Sequence, residues 1–140
     1  MTTPFYSSDC AANSGIQPRS GIGLCSVSAI YTTLAKLLTA DVIHMVKIPA
    51  GATVLEVILD AAAMDASAAL TLSVGYTGAL TAFINASTVG RAGGIARMSV
   101  AGGSQKTFSA DDTIQVSATA GATDTTLGAI KLTAIYTFDA

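Results

Sequence analysis

Residues 42–76 read VIHMVKIPAGATVLEVILDAAAMDASAALTLSVGY, and the reading of this stretch decides the fold class. Val42–Ile48 is rich in β-branched residues and reads as a strand. Pro49-Ala50-Gly51-Ala52 interrupts it, because proline donates no ladder hydrogen bond and glycine accepts positive φ. Thr53–Leu59 reads as a second strand. Thr53, Leu55, Val57 and Leu59 share one face, and Val54, Glu56, Ile58 and Asp60 share the other. In Leu70–Tyr76, Leu70, Leu72, Val74 and Tyr76 alternate with Thr71, Ser73 and Gly75, which describes a third strand with one core face and one small, polar face. Between them, AAAMDASAA is Ala-rich but too short for a stable isolated helix, and reads as a loop with one turn.

Working outward, Ile22–Thr33 is a strand with Ile22, Leu24, Ser26, Ser28 and Ile30 on one face and Cys25, Val27, Ala29 and Tyr31 on the other. Leu34–Ala40 fits either a helical turn or a strand. Gly78–Val89 is ambiguous: Phe83 and Ile84 need burial, and Asn85–Thr88 has the composition of a turn or cap. Gly90–Gly94 reads as a loop, Ile95–Val100 as a strand with Ala96, Met98 and Val100 inward, and Lys106–Ser109 as a short strand. Asp111 and Asp112 sit in a turn, and Thr113–Thr119 alternates again. Gly128–Phe138 closes the chain with Ile130, Leu132, Ala134, Tyr136 and Phe138 on one face. About eight strands at short spacing with little helix indicate an all-β antiparallel sandwich, and a jelly roll holds that number in two sheets. An immunoglobulin-like sandwich is the alternative, but the chain has no Trp and Cys10 lies outside the strands. The expected organisation is an extended arm over 1–21, with Pro4, Gly15, Pro18 and Gly21 and no sustained period, followed by a sandwich domain over 22–140.

The 140 residues are enough for one domain with its own core. Charged residues make up 11%, under half the usual ~25%, so Thr, Ser, Ala and Gly must form much of the surface. Such a surface suits packing against other protein. The net charge is −2 and the seven Lys and Arg residues are scattered, which argues against a nucleic-acid partner. No apolar run reaches ~18 residues, so no membrane partner is expected, and the N-terminal residues lack the pattern of a signal peptide. Cys10 and Cys25 are read as reduced structural thiols, with a disulfide pinning the arm as the alternative.

The sequence carries no recognisable catalytic constellation. His44, the single histidine, lies on a strand and is assigned no partner. Asp60/Asp65 and Asp111/Asp112 are the close carboxylate pairs, too sparse for Ca²⁺ and better read as turn formers. Glu56 is read as exposed or paired with a cross-strand Lys. The Gly90–Gly94 and Gly102–Gly103 segments lack phosphate-loop spacing, and Asn85-Ala86-Ser87 matches a glycosylation sequon relevant only in a eukaryotic secretory path. No catalytic residue, cofactor or metal is expected. The alternative to a structural protein is a small ligand- or receptor-binding module for carbohydrate or a host surface, which would need exposed aromatics.

Four pieces in order, ADVIHMVKIPAGATVLEVILDAAAMDASAALTLSVGY, FINASTVGRAGG, FSADDTIQVSATA and GAIKLTAIYT, carry a family resemblance. The chain resembles, over roughly residues 22–138, the decoration or cement proteins on the heads of tailed bacteriophages, and is most similar to those of the short-tailed Bordetella phages. That resemblance implies a jelly roll on the outer surface of the virion, with the phage major capsid protein as partner and a homodimer as the associated form. Residues 1–21 carry no motif of the resemblance, yet Phe5, Tyr6 and Arg19 within them are candidate capsid or dimer contacts.

Overall fold

The computed structural model describes residues 22–124 and 126–139. In chain order the elements are β1 (Ile22–Thr32), β2 (Val42–Ile48), β3 (Ala52–Ala61), β4 (Thr71–Tyr76), β5 (Ala79–Ser87), a single helical turn α1 (Val89–Ala92), β6 (Gly94–Arg97), β7 (Lys106–Thr107), β8 (Asp112–Ala120) and β9 (Ala129–Asp139). One sheet has the order β1-β9-β3-β6, with β7 also on β3; the other has the order β2-β8-β4-β5. All pairings are antiparallel. Apart from the β4–β5 hairpin and the β6–β7 connection, each step along the chain crosses from one sheet to the other. This is the jelly-roll sandwich expected from the strand pattern.

The core lies between the sheets. Val57, Leu59, Leu72, Val74, Ile114, Val116, Ile130 and Leu132, all expected inside from alternation, are fully buried. Leu55 was expected with them and is half-buried. The cause is a bulge in β3 between Val54 and Glu56, where the register against β9 shifts. One extra residue reverses the parity of a strand. Ala52 and Val54 therefore face inward before the bulge, and Val57, Leu59 and Ala61 after it.

Several local expectations change. Gly78–Val89, ambiguous in sequence, supplies β5. The chain returns through the two-residue turn Thr77-Gly78, with Gly78 at φ 85°, a conformation glycine adopts without penalty. Gly75 is needed for a different reason: a Cβ there would lie 2.0 Å from the Ala79 carbonyl oxygen. Leu34–Ala40 is neither helix nor strand; it buries Leu37 and leaves Leu34 and Leu38 exposed. The Gly90–Gly94 loop contains α1, whose buried Gly90 packs against Leu70 and Leu72. The strands expected over Ile95–Val100 and Lys106–Ser109 are shorter, ending at Arg97 and Thr107. Cys25 is disulfide-bonded, which corrects the reading of a reduced thiol at that position. The chain's other cysteine, Cys10, lies outside the described residues, as do the remaining residues of the expected arm.

Val57 is central, at 0% exposure beside Ala134 of β9. Val57→Asp would place an unpaired carboxylate between the sheets at a cost of about 3–5 kcal/mol. The expected outcome is loss of a cooperative thermal transition by circular dichroism; melting like the parent protein would contradict the packing described.

Candidate functional site

Among the described residues, each candidate for chemistry can be located. His44 is exposed on β2, and its Nδ1 lies 2.8 Å from the Thr113 hydroxyl oxygen. It therefore has a partner, contrary to expectation. The partner belongs to a polar chain on the outer face of the β2-β8-β4-β5 sheet. The Gln115 amide donates to Thr113 Oγ1 at 3.0 Å and to Thr77 Oγ1 at 2.9 Å, and the Thr77 hydroxyl donates to Asp112 Oδ1 at 2.7 Å. No carboxylate among the described residues orients the His44 ring in the manner of a catalytic base. Among the described residues, no group of three or more His, Cys, Asp and Glu side chains is arranged to hold a metal ion.

The carboxylate pairs separate. Asp60 is an exposed residue of β3, which corrects its reading as a turn former, whereas Asp65 is buried and accepts four hydrogen bonds. Its Oδ2 receives the backbone N–H groups of Ala69 and Leu70 at 2.9 and 2.8 Å. Its Oδ1 receives the Thr123 hydroxyl at 3.1 Å and the Asp124 N–H at 3.2 Å. Asp124 answers by accepting the Ser67 hydroxyl at 2.7 Å and the Ser67 N–H at 3.2 Å. Two loops at one end of the sandwich are thus tied reciprocally. Burial pushes the Asp65 carboxyl up, but the N–H groups of Asp124, Ala69 and Leu70 with the Thr123 hydroxyl outweigh it and hold it well below the usual value. The turn role expected of Asp65 holds, and the tie to residues 123–124 is what local sequence could not reveal. Asp111 accepts the Ala50 N–H of the β2–β3 turn, 61 residues away, and Asp112, the first residue of β8 and not of a turn, accepts the Thr113 N–H.

Glu56 pairs with Arg97, where a Lys partner or free exposure was expected. Arg97 Nη2 lies 2.6 Å from Glu56 Oε2. Burial raises the Glu56 carboxyl, while the bonds and charge of Arg97 and the Met98 and Val57 N–H groups bring it below its usual value. With Arg97 largely exposed, this pair is a minor stabiliser.

Of the described aromatics Tyr31 is exposed, at 37%, and stands apart from the others. Phe83, Phe108 and Tyr136 are buried. Tyr76 packs edge-on against Phe108 at 5.3 Å, with the Lys106 ammonium 4.7 Å from the ring centre. The cleft beside them, lined by residues including Thr77, Asp111 and Asp112, has a volume of about 140 Å³. Pockets for small organic ligands are usually larger, ~300–1,000 Å³.

What remains is surface. On the outer face of the β1-β9-β3-β6 sheet, Leu24, Ile30 and Ile95 are exposed, at 66%, 67% and 66%. Ile58 and Ile135 are half-exposed between them. Hydroxyl pairs fill the gaps: Ser28 with Thr133 at 2.9 Å and Thr53 with Thr107 at 2.8 Å. The Asp60–Lys131 register pair and the Glu56–Arg97 ion pair are the charged spots on this face. A broad apolar and hydroxyl-bearing face is the strongest functional feature of the described residues, and is suited to contact with protein. Phe5, Tyr6 and Arg19, the contacts named from sequence, lie outside the described residues. The period-2 pattern grouped Leu24 with Ile30 but carried no signal for which side of β1 would be exposed.

No family model matches the sequence, and no curated protein is similar to it. Solved structures are. A chain of the cyanophage Pam1 capsid asymmetric unit superposes with a TM-score of 0.75 at 23% identity, covering 87% of this chain and 89% of that one. A chain of the capsid of Ralstonia phage GP4 gives 0.74 at 24% identity, covering 91% and 94%. A chain of the acidic stable capsid of Helicobacter pylori bacteriophage KHP30 gives 0.61 at 16%, covering 85% and 94%. These likenesses establish the fold. Because each covers most of both chains, the matched proteins are also of about this length.

Two substitutions test the chemistry. His44→Ala removes one exposed hydrogen bond and should change stability by about 1 kcal/mol or less, read as an almost unchanged thermal midpoint. Asp65→Asn presents an amide NH₂ to groups that need an acceptor, and should lower the midpoint at pH 7 by on the order of 5 °C. The Asp65 carboxyl is depressed in the folded state, so its contribution is present above the ordinary Asp value of 3.8 and is lost as pH falls below it. Melts across an acid series should accordingly fall less steeply in Asp65→Asn than in the parent protein.

Proposed function

We propose that this chain is a structural decoration (cement) protein of the virion. It binds the outer surface of a tailed-phage head, where it stabilises contacts between major capsid protein subunits. The observation that carries this reading is the near full-length likeness to similarly sized chains from three phage capsids. The surface supports it. A face of Leu, Ile, Thr and Ser with few charges resembles one side of a protein–protein interface more than a free polar surface. Such a role needs no reaction. Each copy needs only a contact of about the standard interface size, ~1,600 Å², because many copies act together on a shell.

In this reading the protein is of the kind on short-tailed Bordetella phages and associates as a homodimer on the head. Residues 1–21 form an arm that lies across a neighbouring subunit, with Phe5 and Tyr6 as apolar anchors and Arg19 as a polar one. Pro4 and Pro18 limit the entropy that ordering such a segment loses. A carbohydrate- or host-binding module would call for a platform of several exposed aromatics, whereas Tyr31 is exposed and Phe83, Phe108 and Tyr136 are buried.

The experiment is reconstitution. Heads lacking the protein are mixed with full-length protein or with a variant lacking residues 1–15, and occupancy is measured by sedimentation. Full-length protein should bind stoichiometrically and raise the temperature at which heads release DNA. The shortened variant should bind about tenfold more weakly or worse, given the loss of two aromatic anchors. Failure of full-length protein to bind heads would overturn the decoration role; equal occupancy of the two would overturn the role of the arm.

A further inference from the structure

We propose that the outer edge of β1 is the surface through which two copies of this chain associate, by antiparallel β1–β1 pairing centred on Val27. The inference deepens the homodimer part of the proposed function and does not depend on attachment to a head.

Thr33, in register with the β1–β9 ladder, donates its N–H to the Gly128 carbonyl at 2.9 Å. Ala129, one residue on, turns its carbonyl to Ala62 beyond β3. Hydrogen-bonding direction alternates residue by residue in an antiparallel ladder. Cys25, Val27, Ala29 and Tyr31 therefore direct their backbone groups to β9, while Leu24, Ser26, Ser28 and Ile30 direct theirs away from it. No described residue takes those groups.

An open edge of this kind recruits another strand unless it is blocked. The other sheet edges are blocked. β6 is four residues long and carries Arg97. β2 is bulged between His44 and Val46 and carries Lys47. β5 has two register shifts against β4. In contrast, β1 runs for 11 residues, contains no Pro or charged residue, and pairs with β9 without a register shift. Among the described residues it has none of the usual devices that prevent edge pairing.

The partner of best fit is a second copy. Val27 is the midpoint of Ile22–Thr32, so the register that pairs the whole strand with its copy is centred there. In that register Leu24 of one copy lies opposite Ile30 of the other, and Ser26 lies opposite Ser28. These are the residues whose backbone groups face outward, so each opposed pair can exchange two hydrogen bonds. The exposed Leu24 and Ile30 meet twice by symmetry, and no like charges face each other. The two sheets become one continuous sheet across the axis, and their outer faces join.

The test uses the full chain and its backbone amides. Hydrogen exchange by NMR at rising protein concentration should show protection of Leu24, Ser26, Ser28 and Ile30 increasing at least tenfold as sedimentation records a dimer. The amides of Val27 and Ala29, already bonded to β9, should change little. Ser26→Lys, at an exposed site, should keep the parent thermal midpoint and weaken dimerisation at least tenfold. Ser26→Pro removes an N–H only from the open edge and should do the same. The proposal is overturned if the protein stays monomeric, if protection of those four amides is independent of concentration (which would assign the edge to residues 1–21), or if the dimer is indifferent to both substitutions. Sedimentation of the free protein and occupancy on heads are separate readings, so failure of one is distinguishable from failure of the other.

Discussion

The fold depends on the placement of β9 between β1 and β3. This last strand bonds β1 along 11 residue pairs and β3 along most of its length, and so unites the first, third and final strands of the chain. Its inward face, Ile130, Leu132, Ala134 and Tyr136, is fully buried against the opposite sheet. β9 thus supplies both the ladder that holds one sheet and part of the core that holds the two together. The pairing also has a directional consequence. By bonding β9 on one side and no described strand on the other, β1 becomes an edge.

A second constraint acts at one end of the sandwich. A buried carboxylate is costly unless its lone pairs are filled. Asp65 meets that condition by collecting N–H groups from its own loop and from the residues after β8, and Asp124 returns the contact through Ser67. The long loop between β3 and β4 is therefore held by the hydrogen bonds of Asp65 together with the buried Met64 and Leu70. The most strongly perturbed carboxylate of the described residues is accounted for by this tie, and its perturbation points to no reaction.

The low charge of the chain then acquires a location. Outward positions filled by charged residues in many soluble sandwiches are filled here by Thr and Ser, hydrogen-bonded across strands, and by Leu24, Ile30 and Ile95. Cross-strand hydroxyl pairs satisfy their own polar groups and leave the face short of strong demands for water. This suits a protein whose surroundings are other protein. The likeness to phage capsid chains concerns the fold, and the composition of this face is a separate observation.

Much of this was legible in the sequence. A strand has a period of two, so its apolar alternation identifies a buried face without knowledge of the neighbours; Val57, Leu72, Val74, Val116 and Leu132 were recognisable as core for that reason. The scarcity of charge, the absence of a chemical motif around His44, and the all-β class were also properties of the chain alone. The tertiary structure decided the rest. Leu55 left the core because a bulge, whose cause is the fit against β9, reversed the alternation. His44 gained Thr113, Glu56 gained Arg97, and Asp65 reached residues 123–124 through pairings between segments far apart in sequence. Which side of β1 faces water, and that its outer edge is open among the described residues, follow from strand order. Strand order is a global property: it is set by which arrangement of all the strands buries the most apolar surface while filling the most backbone hydrogen bonds, and no single stretch of residues encodes it.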